Sequence, residues 1–379
     1  YGQARVEELI ESLNFPLLAG NVFDNEWNEP VFDSTACFER GGVKIAVIGQ
    51  AFPYTPIANP RYKIPSWSFG VREDVVRNNV AAARAKGAEL VVLLSHDGFD
   101  VDRKLAGRTD GIDVILTGHT HDALPAVVEV NKTLLIASGS HGKFLSRLDL
   151  EVKKGRVTDY RFRLIPVFSD VIAPDPGMQA LVEEIRAPYR RKIEGVLGET
   201  ESLLYRRGNL NGTFDDLILA AIRETRDAEI ALSPGFRWGA SLVPGQNITV
   251  DDVYNQTAIT YPEVYRTTMT GTRLKEVLED VADNLFNPDP YYQQGGDMVR
   301  IAGVGYRLRA NAPAGQRIER LSKMPGGEPI DASREYVVTG WASVNEDVEG
   351  PAVYDIVSEH IKSLGKAVRI APNDAVQIV

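Results

Sequence analysis

Apolar positions along the chain recur in two rhythms, one helical and one alternating, and together they predict mixed helix and strand throughout. Val6, Leu9, Ile10 and Leu13 share one face of an amphipathic helix already under way at Tyr1. Residues 15–19 and 43–48 read as strands. Residues 72–86 carry Val76, Val80 and Ala83 at helical spacing and stop at Gly87, a suitable helix C-terminus. Residues 90–94 form a continuous apolar run, the mark of a strand buried on both faces. Residues 113–116 and 133–136 repeat that theme, whereas 148–152 and 160–165 alternate with polar positions and predict half-exposed strands. The pattern describes an α/β layered domain.

Pro174-Asp175-Pro176-Gly177 breaks the pattern, and a charged helix interrupted at Pro188 follows. The predicted organisation is a first domain over 1–168, a linker helix over 169–198 and a second domain over 199–379. In the second domain, residues 213–226 and 272–286 predict amphipathic helices, and 229–232, 336–340 and 367–370 predict strands. The fold class is therefore α/β, or α+β, in both halves.

Composition adds exclusions. A length of 379 residues suits two ordinary domains, and 44% apolar with 25% charged residues excludes a disordered class. The balance of 42 basic and 52 acidic residues, net −10, speaks against a general nucleic-acid or anionic-membrane surface, though not against a local site for an anion. The single cysteine, Cys37, excludes an internal disulfide framework and any cysteine-rich metal site. No apolar run is long enough to predict a membrane span. Nucleic acid and membrane are thus not expected partners.

Three of the five histidines stand at predicted strand ends: His96 in Ser95-His96-Asp97-Gly98, and His119 and His121 in Gly118-His119-Thr120-His121. Open α/β sheets gather ligands at the carboxyl ends of their strands, and neutral imidazole is a good ligand for divalent transition metals. In an extended segment His119 and His121 would point the same way. Hydrogen-bonding loop histidines are the plainer alternative. His141, in Gly139-Ser140-His141-Gly142, also follows a strand, but it and His360 carry no metal assignment.

These two histidine motifs resemble the last two metal motifs of the calcineurin-like metallophosphoesterases. The second half extends the likeness to their two-domain subgroup, the periplasmic 5′-nucleotidases, through Gly208-Asn209-Leu210, Ser233-Pro234-Gly235-Phe236-Arg237 and Met269-Thr270-Gly271. Longer strings are similar to one branch, the thiosulfohydrolases of bacterial Sox-type sulfur oxidation. They include Gln50-Ala51-Phe52-Pro53-Tyr54-Thr55-Pro56, Tyr291-Tyr292-Gln293-Gln294-Gly295-Gly296-Asp297 and Gly340-Trp341-Ala342-Ser343-Val344-Asn345.

The resemblance implies part of a layered β-sandwich metallophosphoesterase domain flanked by helices, joined to a mixed α/β 5′-nucleotidase-type C-terminal domain. It implies two Mn2+ ions, with His96 and His119 on one and His121 on the other. It makes Arg237 a catalytic, anion-holding residue and places Tyr291, Gly295 and Gly296 at the substrate. A surface ion pair for Arg237 and a core position for Tyr291 are the alternatives. The implied partner is a sulfur carrier protein presenting a cysteine thiosulfonate on a flexible arm. Sulfate is released, sulfur stays on the carrier, and the setting is periplasmic. Roles for Asp97 and Asp122 stay open.

Two departures bear on this reading. Nucleotidases clamp the base with a Pro-Phe pair, and the comparable stretch here is Ile259-Thr260-Tyr261-Pro262. The family's Asp-x-His motif, bridging aspartate and third metal motif lie upstream of a segment like Tyr1. The chain is therefore expected to be a C-terminal portion of a longer polypeptide or to receive an upstream piece separately, and to be inactive by itself. A 5′-nucleotidase-type phosphohydrolase and a carrier-binding fragment without activity are the alternative functions.

Overall fold

Residues Tyr1–Pro174 and a short strap, Asp289–Gly295, form one unit of the computed structural model; Asp175–Pro288 and Gly296–Val379 form the other. All residues are described except Arg207, Trp238, Glu346, Asp347 and Lys366.

The first unit runs α1 (Gln3–Glu11), β1 (Phe23–Asp24), β2 (Thr35–Arg40), β3 (Val43–Gln50), α2 (Thr55–Ala58), β4 (Trp67–Ser68), α3 (Glu73–Ala85), β5 (Leu90–Ser95), α4 (Phe99–Arg108), β6 (Val114–Thr117), β7 (Val128–Val130), β8 (Thr133–Ile136), β9 (Phe144–Lys153) and β10 (Arg156–Pro166). One sheet has the order β2-β3-β5-β6-β8-β7, and within it β3, β5, β6 and β8 are mutually parallel. Ala46, Ile48, Val91, Leu93, Ile115 and Leu135 point to one face, where α3 and α4 bury them completely. β9 and β10 make a separate antiparallel hairpin with the alternation its sequence predicts.

Three expectations need correction here. Residues 15–19 are not a strand: Pro16 has no N–H to donate, and the segment's neighbours bond only singly, Ala19 N–H to Asp33 O and Gly20 N–H to Gly49 O. It passes so close to β3 that a Cβ on Gly49 would lie 2.2 Å from the Leu18 carbonyl oxygen. The second face of β5 is covered only in part, since Leu90 is 6% exposed but Leu94, on the same face, is 50% exposed. Asp113 lies outside β6 and instead accepts hydrogen bonds from Val91 N–H and Arg84.

The second unit runs α5 (Pro176–Arg186), α6 (Arg190–Ile193), β11 (Val196–Thr200), α7 (Thr213–Thr225), β12 (Ile230–Ser233), β13 (Asn247–Thr249), α8 (Val250–Gln256), β14 (Val264–Thr270), α9 (Gly271–Phe286), β15 (Arg300–Ala302), β16 (Val304–Leu308), β17 (Ile318–Lys323), β18 (Glu335–Trp341), α10 (Val353–Ser363), β19 (Ala367–Val368) and β20 (Val376–Ile378). Its central sheet has the order β14-β18-β12-β15. Every residue of β12 is buried because α7 and α10 cover one face and α9 the other. The helix expected to reach residue 198 stops earlier, and β11 begins at Val196. Among the described residues no helix is long and apolar enough to cross a membrane.

Candidate metal centre

Four adjacent parallel strands end at the same edge of the first sheet. Just beyond those ends lie Phe52 after β3, His96 after β5, His119 and His121 after β6, and His141 after β8. This is the edge where an open α/β sheet binds its ligands.

His96 extends the ladder, its N–H donating to Gln50 O at 3.0 Å. Burial lowers its imidazole pKa, which favours the neutral form that can bind a metal. Gly118 makes room for this ring, since a Cβ there would stand 3.2 Å from His96 Nδ1. The rings of His96 and His119 lie 5.4 Å apart between centroids, and Phe52 stacks on His119 at 4.0 Å.

The 118–121 segment is not extended, contrary to expectation. His119 and His121 both have left-handed backbones, with φ of 69° and 59°. That conformation costs about 1 kcal/mol or more for a side-chain-bearing residue. The two rings therefore have different neighbours: His119 faces His96 and Phe52, whereas His121 lies 5.9 Å from the ring of His141. His141 was not foreseen as part of this group; it shares their left-handed backbone, with φ of 59°.

Two aspartates lie beneath these loops. Asp102, in the first turn of α4, accepts from Ser95 Oγ at 2.7 Å, and Ser95 Oγ in turn accepts from Asp97 N–H at 3.1 Å. Both carboxyls are buried. Desolvation pushes Asp102 up to about 7, and desolvation together with Asp102 raises Asp97 well above the ordinary range. Asp122 ties two loops together, its carboxylate accepting from Thr120 Oγ1 at 2.6 Å and its carbonyl from Gly139 N–H at 2.6 Å.

Neither oxygen of the Asp97 carboxylate has a hydrogen-bond partner among the described residues. A buried orphan carboxylate next in sequence to a neutral imidazole suits a cation. The donor types therefore fit part of a metal site. No three His, Cys, Asp or Glu side chains among the described residues converge to close one.

The strap belongs to this unit. Tyr291 donates its hydroxyl to Glu73 at 2.8 Å, and Lys104 Nζ stands 3.8 Å over its ring while pairing with Asp289. Burial and the Glu73 hydrogen bond push the Tyr291 hydroxyl pKa upward. Tyr54 donates its hydroxyl to the Tyr291 carbonyl. Gly295, with φ of 77°, lies against His119.

Arg237 and Gly296 belong to the second unit. Gly296 has φ of 84° and open space where a Cβ would be. Arg237 Nε stands 3.6 Å from Asp297 and is partly exposed. Asp297 also pairs with Arg300, Arg300 with Asp215, and Asp215 with Arg206, forming a run of alternating charges. His360, also in the second unit, has its Nδ1 3.1 Å from Glu224.

Residues 196–353 match the family described as 5′-nucleotidase, C-terminal domain. The solved structure of Thermus thermophilus sulfate thiohydrolase SoxB in complex with glycerol is similar across 100% of this chain and 71% of its own, with 36% identity and a TM-score of 0.95. A 5′-nucleotidase precursor from Thermus thermophilus shares the fold, with a TM-score of 0.82 over 98% of this chain and 80% of its own at 21% identity. Among curated proteins, the trifunctional nucleotide phosphoesterase protein YfkN of Bacillus subtilis is 26% identical over 86% of this chain. The chain spans 24% of the length of YfkN and 65% of the next curated relative.

Proposed function

The chain is a SoxB-like member of the 5′-nucleotidase family, and on that premise we propose that it serves hydrolysis of a cysteine-bound thiosulfonate on a sulfur carrier protein. Members of the family are hydrolases dependent on a dinuclear metal centre. The observation that carries the proposal is the pairing of His96 and His119 at the ends of adjacent parallel strands, beside the orphaned Asp97 carboxylate. The 36% identity with SoxB supports the choice of substrate class.

In this reading His96, His119 and His121 would hold manganese. When bound there, such a metal would supply Lewis-acid charge that makes water a competent nucleophile at neutral pH. The chain's own groups prepare the site. Burial keeps His96 neutral, so its lone pair is available. Phe52 fixes the plane of His119 and covers one of its faces. Arg237 offers a planar fork of donors suited to a three-oxygen sulfonate, and Asp297 orients it. The reaction consumes one water: its oxygen bonds to the sulfonate sulfur, the bond from that sulfur to the neighbouring sulfane sulfur breaks, the electron pair stays with the sulfur left on the carrier, and sulfate leaves as the water's two protons pass to solvent. A periplasmic location belongs to the same proposal.

A nucleotide phosphohydrolase is the second reading, favoured by the match over residues 196–353 and by YfkN. The absent Pro-Phe pair at 259–262 weighs against it. The full polypeptide, supplied with Mn2+, is offered a thiosulfonated cysteine peptide and AMP together, and sulfate and phosphate are quantified. Sulfate without phosphate is expected, with loss of at least 100-fold in His96→Ala. Phosphate without sulfate would assign the chemistry to nucleotides, and release of neither would leave a carrier-binding role.

A further inference from the structure

The strap Asp289–Gly295 delivers a main-chain carbonyl to a proposed metal ligand. His119 Nε2 and Gln294 O are 3.0 Å apart. A carbonyl oxygen can only accept, so this contact requires the proton on Nε2. In the neutral ring that leaves the lone pair on Nδ1. We propose that the strap is a positioning element for His119, with the Gln294 carbonyl setting the tautomer that turns Nδ1 into the metal-binding atom. The inference rests on the reading of His119 as a ligand. It gives Gly295 a role different from the substrate contact expected of it.

Three further observations support it. A Cβ on Gly295 would lie 2.5 Å from His119 Nε2 and 2.7 Å from its Cδ2, so only glycine lets the Gln294 carbonyl approach the ring. Phe52, stacked at 4.0 Å and 24°, fixes the ring plane in which that hydrogen bond points. The strap is itself anchored in the same unit through Tyr291 to Glu73, Lys104 to Asp289 and Tyr54 to the Tyr291 carbonyl. Glu73 is also held by Arg108 at 2.7 Å, so both α3 and α4 secure the strap. Partners of this kind fix ring orientation at metal sites, and losing one typically weakens metal affinity by about 10–100-fold.

The test reads the tautomer directly. Imidazole nitrogen shifts of the metal-free protein, with 15N-labelled histidine, should show His119 protonated at Nε2. Gly295→Ala should lose that preference and bind Zn2+ at least 10-fold more weakly by titration calorimetry. Gly296→Ala introduces the same left-handed strain with no atom in the way, and should keep the His119 tautomer. A His119 protonated at Nδ1 in the unaltered protein would overturn the proposal, as would a Gly295→Ala protein with unchanged tautomer and Zn2+ affinity. A correct tautomer in a protein that binds no Zn2+ would instead place the failure in the metal reading. Equal disturbance by both glycine substitutions would reduce the effect to backbone strain and also overturn it.

Discussion

His119, His121 and His141 adopt a backbone conformation that residues with side chains avoid. Such strain persists only where surrounding contacts fix it, and here it lets one short loop direct neighbouring histidines to different partners. Sequence identifies the histidines, because motif and strand-end position are local properties. The resemblance pairs His96 with His119, but the sequence does not identify the rest of the group. His141 and Phe52 come from other strands, and only the order β3-β5-β6-β8 brings them to the same edge. The aspartates below add a pH effect. Native Asp102 keeps its proton up to about pH 7, where an ordinary aspartate would already have released it near 3.8. The native state thus binds more protons in that interval, and the stability due to this group is full below about pH 4, falls as pH rises toward 7, and is level above. Asp102→Asn should therefore gain stability relative to the unaltered protein between pH 4 and pH 8, measured by urea unfolding. A difference that does not change with pH would refute this account.

Among the elements, agreement between sequence and structure follows how much of each signal is local. α3, α7 and α9 carry complete helical periodicity, and their positions match the pattern within a residue or two. β12 and β18 are apolar runs buried on both faces, and they too are evident from the sequence. Residues 15–19 mislead because an apolar stretch can lie beside a sheet without joining its ladder. β11, β13 and β16 are missed because they are short and take their registers from partners far away in sequence, such as β19 and β20. Caps depend on residues close in sequence, although the helical pattern does not single out α8 or its cap. Thr249 and Asp252 form a reciprocal box at the start of α8, Asp252 N–H donating to Thr249 Oγ1 at 3.2 Å and Thr249 N–H to the Asp252 carboxylate at 2.8 Å. Thr249→Ala should cost about 1 kcal/mol of stability in chemical denaturation; a neutral change would mean that the cap adds nothing beyond the packing of α8.

At the scale of the whole molecule, each unit has its own core, and the second also buries charge. Arg206 and Asp215 are fully enclosed at 2.7 Å, with Arg300 on the other side of Asp215. Removing one member of a buried set strands the others, which typically costs about 3–5 kcal/mol. Asp215→Asn should therefore destabilise the protein by about that much in urea unfolding, and a loss below about 1 kcal/mol would show that water or rearrangement compensates. No feature of the sequence announces this network, because Asp215 and Arg300, which join its two local pairs, are 85 positions apart. The strap is concealed in the same way: Gln294 and His119 are 175 positions apart. That separation has a meaning during synthesis. The ribosome completes β10 and then the whole of 175–288 before it adds the residues that finish the first unit. At roughly 5–20 residues per second, the nascent first unit waits on the order of ten seconds for its last piece. A histidine so held cannot take its final tautomer from the strap until most of the second unit has been translated, which sets an order in time for the two ends of the same site.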